Sequence, residues 1–104
     1  MAAEPSHTWQ TKEISQLFDA VSRLKTPNEA ARFLRDLCTL SELEAMAHRW
    51  QVARLLDEGL PYLEISRRAH ASTTTVTRVA HWLRHGEGGY RLLLDRLRRR
   101  TRTA

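Results

Sequence analysis

The chain has 104 residues, a 41% hydrophobic share and a formal net charge of +5, which allow one domain with a small core. No apolar run approaches the ~20 residues that a membrane-spanning helix needs, and the first residues lack the basic start and apolar stretch of an export signal. These features exclude a membrane protein and predict a cytoplasmic one. The single cysteine, Cys38, cannot form an internal disulfide, and its apolar helical surroundings predict a buried thiol.

Three helices are predicted in the first 59 residues. Apolar side chains at three- and four-residue intervals predict the first helix over residues 11–24. Residues 26–29 predict the start of the second, because they combine a capping threonine, a proline and a glutamate three residues after the cap. Its predicted inner face consists of Ala30, Phe33, Leu34 and Leu37. Ser41 repeats the capping pattern for a third helix, which Gly59 is expected to end.

Residues 60–83 space small, apolar and polar side chains as a helix-turn-helix does. Ile65 and Ser66 supply the apolar and small side chains that the crossing of the two helices requires. The turn lies between His70 and Ser72, and the hydroxyl of Ser72 is the predicted N-cap of the second helix. Glycine usually occupies such a turn, so His70 is expected either to carry modest backbone strain or to turn differently.

The second helix of this motif has one apolar and one polar face. Val76, Val79 and Leu83 recur at three- and four-residue intervals and form the predicted buried face. The other face is polar and positive, which suits bonds to base edges and phosphates in the major groove. With two arginines of the first helix, the predicted DNA contacts are Arg67, Arg68, Ser72, Thr73, Thr74, Thr75, Thr77 and Arg78. The structural alternative is a hairpin of two packed helices whose polar face is only solvated.

Charge is divided unevenly along the chain. Residues 1–59 hold seven Lys and Arg against nine Asp and Glu, which gives a formal net charge of −2. Residues 60–104 hold ten Arg against three acids, which gives +7. A basic segment next to an acidic, apolar one suits a protein that docks one part on phosphates and forms a core or a dimer with the other. The alternatives are a helical dimerisation or adaptor module that binds an acidic protein partner, and RNA binding, which the few nearby aromatic residues disfavour.

The chain lacks the sequence patterns of catalysis and metal binding. His81 and His85 lie one helical turn apart, but no third ligand is spaced to join them, so we predict no metal. The absence of a phosphate-binding glycine loop and of paired catalytic carboxylates predicts no cofactor and no enzyme. A last helix is predicted over residues 89–100, and the arginines of residues 96–102 form either a phosphate-binding arm or a solvated helix end.

From Cys38 to Arg78 the chain resembles the Trp repressor superfamily. The stretch from Leu43 through RWQVARLLDEG to GEGGY is similar to the YerC/YecD-type branch of that family, and the resemblance covers roughly residues 14–97. One set of positions makes the resemblance far more specific than a helix-turn-helix alone. It consists of residues 44–45, RWQVAR at 49–54, Gly59, Ser72 and residues 77–78.

The resemblance implies an all-α, six-helix Trp-repressor-like fold that forms an intertwined homodimer. The expected organisation is a single domain over residues 11–100, with dimerisation helices in 11–59, the helix-turn-helix in 61–85 and a C-terminal helix in 89–100. The implied function is sequence-specific binding of double-stranded DNA by a transcriptional repressor. Two-fold symmetry implies a palindromic operator with half-sites ~34 Å apart.

The resemblance also implies a possible effector pocket, because the Trp repressor uses a bound amino acid to set the spacing of its DNA-binding heads. Thr39, Arg49 and Arg78 match three positions of that pocket, where Thr39 and Arg78 would hold a carboxylate and Arg49 would cover a flat side chain. Val79 and Trp82 stand where the repressor has smaller residues, and Trp82 is expected to fill the volume of a ligand. We therefore expect DNA binding without a ligand, with a small-molecule effector as the less favoured case.

Overall fold

The computed structural model describes residues 9–103, with side chains described to Arg100, and forms six α-helices there. They are α1 (Lys12–Val21), α2 (Pro27–Leu37), α3 (Leu40–Asp57), α4 (Tyr62–Ala69), α5 (Thr73–His85) and α6 (Gly89–Thr103). No β-strand occurs in this range, so the predicted all-α, six-helix fold is confirmed. No helix in the described part of the chain is long and apolar enough to cross a membrane.

Two predicted helix boundaries were wrong. Helix α1 ends at Val21 rather than Leu24, because the amides of Arg23 and Leu24 bond three residues back, at 3.1 Å each, and the last turn tightens out of the α-helix. Helix α3 already includes Leu40, so Ser41 lies inside its first turn instead of capping it.

The chain divides into two compact units, the first ending at Leu40 and the second beginning at Ser41. In the first unit, Thr11 Oγ1 accepts a hydrogen bond from the Ile14 amide at 3.2 Å and caps α1. Thr26 caps α2 as predicted, since its Oγ1 accepts from the Glu29 amide at 3.1 Å. The predicted single domain over 11–100 stays a prediction.

Neither helix of the first unit contains a buried residue. The apolar side chains of α1 are about two-fifths exposed, as at Phe18 (43%) and Val21 (43%), and Leu37 of α2 is 51% exposed, although it was predicted on an inner face. Cys38 is half-buried rather than buried, because the chain leaves the helix at this residue. Several apolar side chains of α1 and α2 therefore stay exposed in the single chain, while others, such as Phe33 and Leu34, are half-buried.

The second unit holds the hydrophobic core. Helices α3, α4 and α5 supply one buried cluster, which consists of Val52, Ala53, Leu55, Ile65, Ala69, Val76 and Val79, and Ala80 of α5 and Leu94 of α6 are buried as well. The predicted buried face of α5 is thus confirmed at Val76 and Val79, while Leu83 is half-buried. Trp50 of α3 stacks on Tyr90 of α6 with ring centroids 6.2 Å apart, which adds an aromatic contact to the edge of the core.

Residues 70–72 join α4 to α5 in a turn that agrees with the sequence analysis. His70 adopts the left-handed conformation, with φ 52° and ψ 42°, so the backbone strain predicted there is present. The hydroxyl of Ser66 donates to the carbonyl of Ala71 and closes the turn. Ser72 Oγ accepts from the Thr75 amide at 3.1 Å, which confirms Ser72 as the N-cap of α5.

An ion-pair cluster connects the end of α3 to α6. Arg98 Nη2 donates to Asp57 Oδ1 at 2.6 Å, and Arg91 Nη1 donates to the same oxygen at 2.9 Å. A carboxylate at the C-terminal end of a helix is unfavourable by itself, because the helix dipole is negative there. The two guanidinium groups offset this, and the bond from Arg98 above all holds the pKa of the Asp57 carboxyl below its ordinary value of 3.8.

We expect Asp57→Asn to lower the free energy of unfolding by about 1 kcal/mol at neutral pH, a modest figure because both arginines are nearly half exposed. Since the folded-state pKa is lowered, the contribution is present above about pH 4 and is lost as the pH falls through the lowered pKa. Urea unfolding followed by circular dichroism at several pH values tests this. Glu58→Gln, which removes a neighbouring exposed carboxylate without a partner in the described structure, is the matched control. Equal losses in the two variants would contradict the prediction.

Candidate nucleic-acid interface

The exposed side of α5 carries four polar side chains that the fold leaves unengaged. Thr73, Thr74, Thr77 and Arg78 are exposed, whereas Val76, Val79 and Ala80 of the same helix are buried in the core. None of the four makes a side-chain hydrogen bond or ion pair within residues 9–103. Their hydroxyl and guanidinium groups are therefore available to an external partner without breaking a contact of the fold.

Two further predicted contact residues help to build the start of the helix. Ser72 Oγ caps α5 and also lies 3.1 Å from Thr75 Oγ1, within hydrogen-bond distance. Thr75 is half-buried, while Ser72 is exposed. These hydroxyls have a structural role in addition to any role in binding, so a substitution here would change both helix stability and affinity.

Arg67 and Arg68 of α4 are held by an acid on the same helix. Arg68 Nε donates to Glu64 Oε2 at 2.8 Å, and Arg67 Nε donates to Oε1 at 3.3 Å. The bond from Arg68, followed by that from Arg67, lowers the pKa of the Glu64 carboxyl from its ordinary value. Sequence analysis had placed both arginines at the interface without this partner, although the spacing of three and four residues on a helix indicates it.

A surface groove of about 530 Å³ lies beside α5, within the second unit. Its lining comes from α3, the turn, α5 and the first turn of α6, and consists of Glu44, Ala45, His48, Arg49, His70, Ala71, Ser72, Thr75, Arg78, Val79, Trp82 and Tyr90. Three of the four predicted pocket residues, Arg49, Arg78 and Trp82, are brought together here. Thr39 belongs to the first unit, and its place at a pocket stays a prediction.

Trp82 forms part of the groove wall. Its side chain is 58% exposed, and its indole meets the His81 ring edge-on with centroids 5.1 Å apart. The groove keeps its open volume beside it, so exclusion of a ligand by Trp82 stays a prediction. Arg49 is exposed and makes no ion pair in the described part of the chain, which leaves a cation unengaged at this groove.

Sequence analysis missed Glu44, His48, His70 and Tyr90 as groove residues. Glu44 and His48 are one turn apart on α3, a spacing that places them on one face. Apolar and polar side chains are spread around α3 without a clear division, so this face did not stand out. Tyr90 follows a glycine-rich break, and only the folded chain shows that it reaches the groove.

The polar clusters outside this groove do not form a metal site within the described residues. His81 and His85 have ring centroids 5.1 Å apart, and within residues 9–103 no group of three or more His, Cys, Asp and Glu side chains could hold a metal ion. In the arginine-rich segment 96–102, Arg98 is engaged by Asp57. The side chain of Arg102 lies outside the described residues.

Comparison with known proteins places this arrangement in a family. The family model for the Trp repressor protein matches residues 12–98. The uncharacterized protein YerC of Bacillus subtilis (strain 168) is 42% identical over 87 residues, which are 84% of each chain.

Two crystal structures are similar to most of the chain. A TrpR-like protein from Eubacterium eligens ATCC 27750 has a TM-score of 0.79 and 39% identity, with 85% of this chain and 91% of that chain covered. A candidate Trp repressor from Staphylococcus aureus has a TM-score of 0.82 and 32% identity, with 92% and 96% covered.

These matches extend from α1 into α6 and include both units of the chain. The family that they identify consists of DNA-binding transcription regulators rather than enzymes. The sequence, the six-helix fold and the two structural neighbours agree, and the chain belongs to the Trp repressor family.

Proposed function

We propose that the protein is a transcriptional repressor that binds double-stranded DNA in a sequence-specific manner, as a homodimer on a palindromic operator. Helices α4 and α5 act as its helix-turn-helix, with α5 in the major groove. The observation that carries the proposal is the exposed start of α5, where Thr73, Thr74, Thr77 and Arg78 have no partner in the described chain. Family membership supports the same role.

The chemistry of this surface fits DNA in two ways. Threonine hydroxyls bond base edges or phosphates, and threonine methyl groups contact the methyl group of thymine, so Thr73, Thr74 and Thr77 provide sequence preference. Arg78 and the arginines of α4 bind phosphates, a contact that positions the protein without selecting a sequence. Affinity should therefore fall steeply as the salt concentration rises.

The open apolar faces favour a homodimer. Helices α1 and α2 bury no side chain in the single chain, and Leu92, Leu93 and Leu97 of α6 are 49%, 48% and 42% exposed. Burial of these exposed apolar side chains is favourable, and a second copy of the chain would cover them. Two-fold symmetry then places two copies of α5 along one side of the duplex, about one helical turn (~34 Å) apart.

Selection of duplexes from a randomised DNA library by the purified protein, at about physiological salt, tests this function. We expect enrichment of a palindrome whose half-sites lie about one helical turn apart. Thr74→Ala should relax the preference at one position of each half-site and leave the others, because it removes one hydroxyl and one methyl contact. No enrichment together with capture of an acidic protein would instead support the adaptor role.

We expect Glu64→Gln to raise the affinity for duplexes of any sequence by about threefold or more at about 0.1 M salt, because it releases Arg67 and Arg68 for phosphate contacts and removes a repelling charge. Fluorescence anisotropy with a labelled duplex measures the effect. The matched control is Glu58→Gln, which removes the same charge at an exposed site that has no arginine partner in the described structure. Equal affinities of the two variants would show that Arg67 and Arg68 do not reach the DNA.

We predict that the protein binds its operator without an effector and that L-tryptophan produces no saturable heat in calorimetric titration. The reason is that Trp82 lines the same groove as Arg49 and Arg78, where its bulky indole would compete with the flat side chain of a ligand. Trp82→Ala enlarges the groove, and saturable binding in this variant alone would support the prediction. Saturable heat with the unaltered protein would overturn it in favour of an amino-acid effector.

A further inference from the structure

His70 has a backbone conformation that the rest of the described chain reserves for glycine. Its φ is 52°, and the other positive φ angles among residues 9–103 belong to Gly59 (84°) and Gly88 (85°). Glycine adopts this region freely because it lacks a Cβ, whereas a residue with a side chain loses free energy there. The turn between α4 and α5 therefore carries a strain that glycine at position 70 would remove.

The imidazole of His70 makes no hydrogen bond or ion pair in the described structure that would offset this strain. The turn is closed by backbone and hydroxyl groups, since the amides of His70 and Ala71 donate to the Ser66 carbonyl and the Ser66 hydroxyl donates to the Ala71 carbonyl. The side chain itself is exposed, and it makes no hydrogen bond or ion pair with the described residues. A strained residue with an unengaged polar side chain points to a function outside the fold.

The position of this imidazole is beside the proposed DNA-binding surface. His70 is the first residue of the turn into α5 and lines two adjacent depressions, the 530 Å³ groove and a smaller one of about 350 Å³. The charged and titratable side chains around these depressions are Glu44, His48 and Arg49 of α3, Arg68 of α4, Arg78 of α5 and Tyr90 of α6. Arg68 is paired with Glu64, so Arg49 and Arg78 against the single carboxylate of Glu44 leave a net positive charge that favours an anion.

We propose that the His70 imidazole contacts a phosphate of the DNA backbone and helps to seat the turn on the duplex. This inference rests on the proposed function, because the phosphate belongs to the DNA that α5 binds. A neutral imidazole donates one N–H to a phosphate oxygen, while a protonated one adds a positive charge. The contact is therefore stronger with a protonated imidazole than with a neutral one.

Three variants separate the contact from the strain. His70→Gly removes the imidazole and relieves the positive φ. His70→Asn keeps a polar side chain that tolerates the left-handed region but cannot take up a proton. His85→Asn is the matched control, since His85 is an exposed histidine of the same unit at the other end of α5. Each protein is assayed for its melting temperature and for its affinity, by fluorescence anisotropy, for a labelled duplex of about 20 base pairs at about pH 6 and about pH 8.

We expect His70→Gly to raise the melting temperature by a few degrees and yet to weaken DNA binding about fivefold at pH 6. His70→Asn should lose most of the gain in affinity that the unaltered protein shows between pH 8 and pH 6. His85→Asn should keep that gain. A more stable protein that binds more weakly is a combination that a purely structural role for His70 would not produce.

Two results would overturn the proposal while leaving DNA binding in place. One is equal affinity of His70→Gly and the unaltered protein at both pH values, and the other is a lower melting temperature for His70→Gly, which would assign the imidazole to the fold. Failure of the unaltered protein to bind any duplex would be a different result, because it would overturn the proposed function and this inference with it.

Discussion

The burial of one face of α5 is the interaction on which the candidate interface depends. Val76 and Val79 are 0% and 2% exposed and belong to one cluster with Val52 of α3 and Ile65 of α4. Since successive residues of an α-helix are 100° apart, burial of these positions leaves residues 74, 77 and 78 on the outside, while Thr73 is exposed because it begins the helix. Core packing therefore decides which side of α5 a duplex would meet, and a core substitution that rotated α5 would displace the interface without changing any of its residues.

Local signals predict most of the fold because they act over three or four residues. The hydroxyls of Thr26 and Ser72 cap α2 and α5 as the sequence indicates, since each needs only the amide three residues ahead. The prediction for Ser41 was wrong although the capping pattern is present there. A local pattern does not determine whether the helix begins one residue earlier, at Leu40. The exposure of Leu37 could not be predicted either, because periodicity identifies an apolar face but not what covers it.

The site was predictable to the extent that it follows the helical period. The outward face of α5 and the strain at His70 could be inferred from residue spacing and from the absence of a glycine in the turn. The engagement of Arg98 by Asp57 could not, because 41 residues separate the two and only the fold brings them together. The groove beside α5 joins residues of four elements, so its lining also depends on packing rather than on spacing.

The ion pairs change what the basic charge of residues 60–104 means for DNA binding. Arg67 and Arg68 are paired with Glu64, and Arg91 and Arg98 with Asp57, so the formal charge exceeds the charge that a phosphate meets at the surface. Salt screens the contacts to phosphates, and it also screens the pairs that connect α6 to α3. The steep loss of DNA affinity with salt that the proposed function predicts would thus have two physical sources. The slope of log affinity against log salt concentration is proportional to the number of phosphate contacts. This holds only over the range of salt in which the free energy of unfolding stays constant.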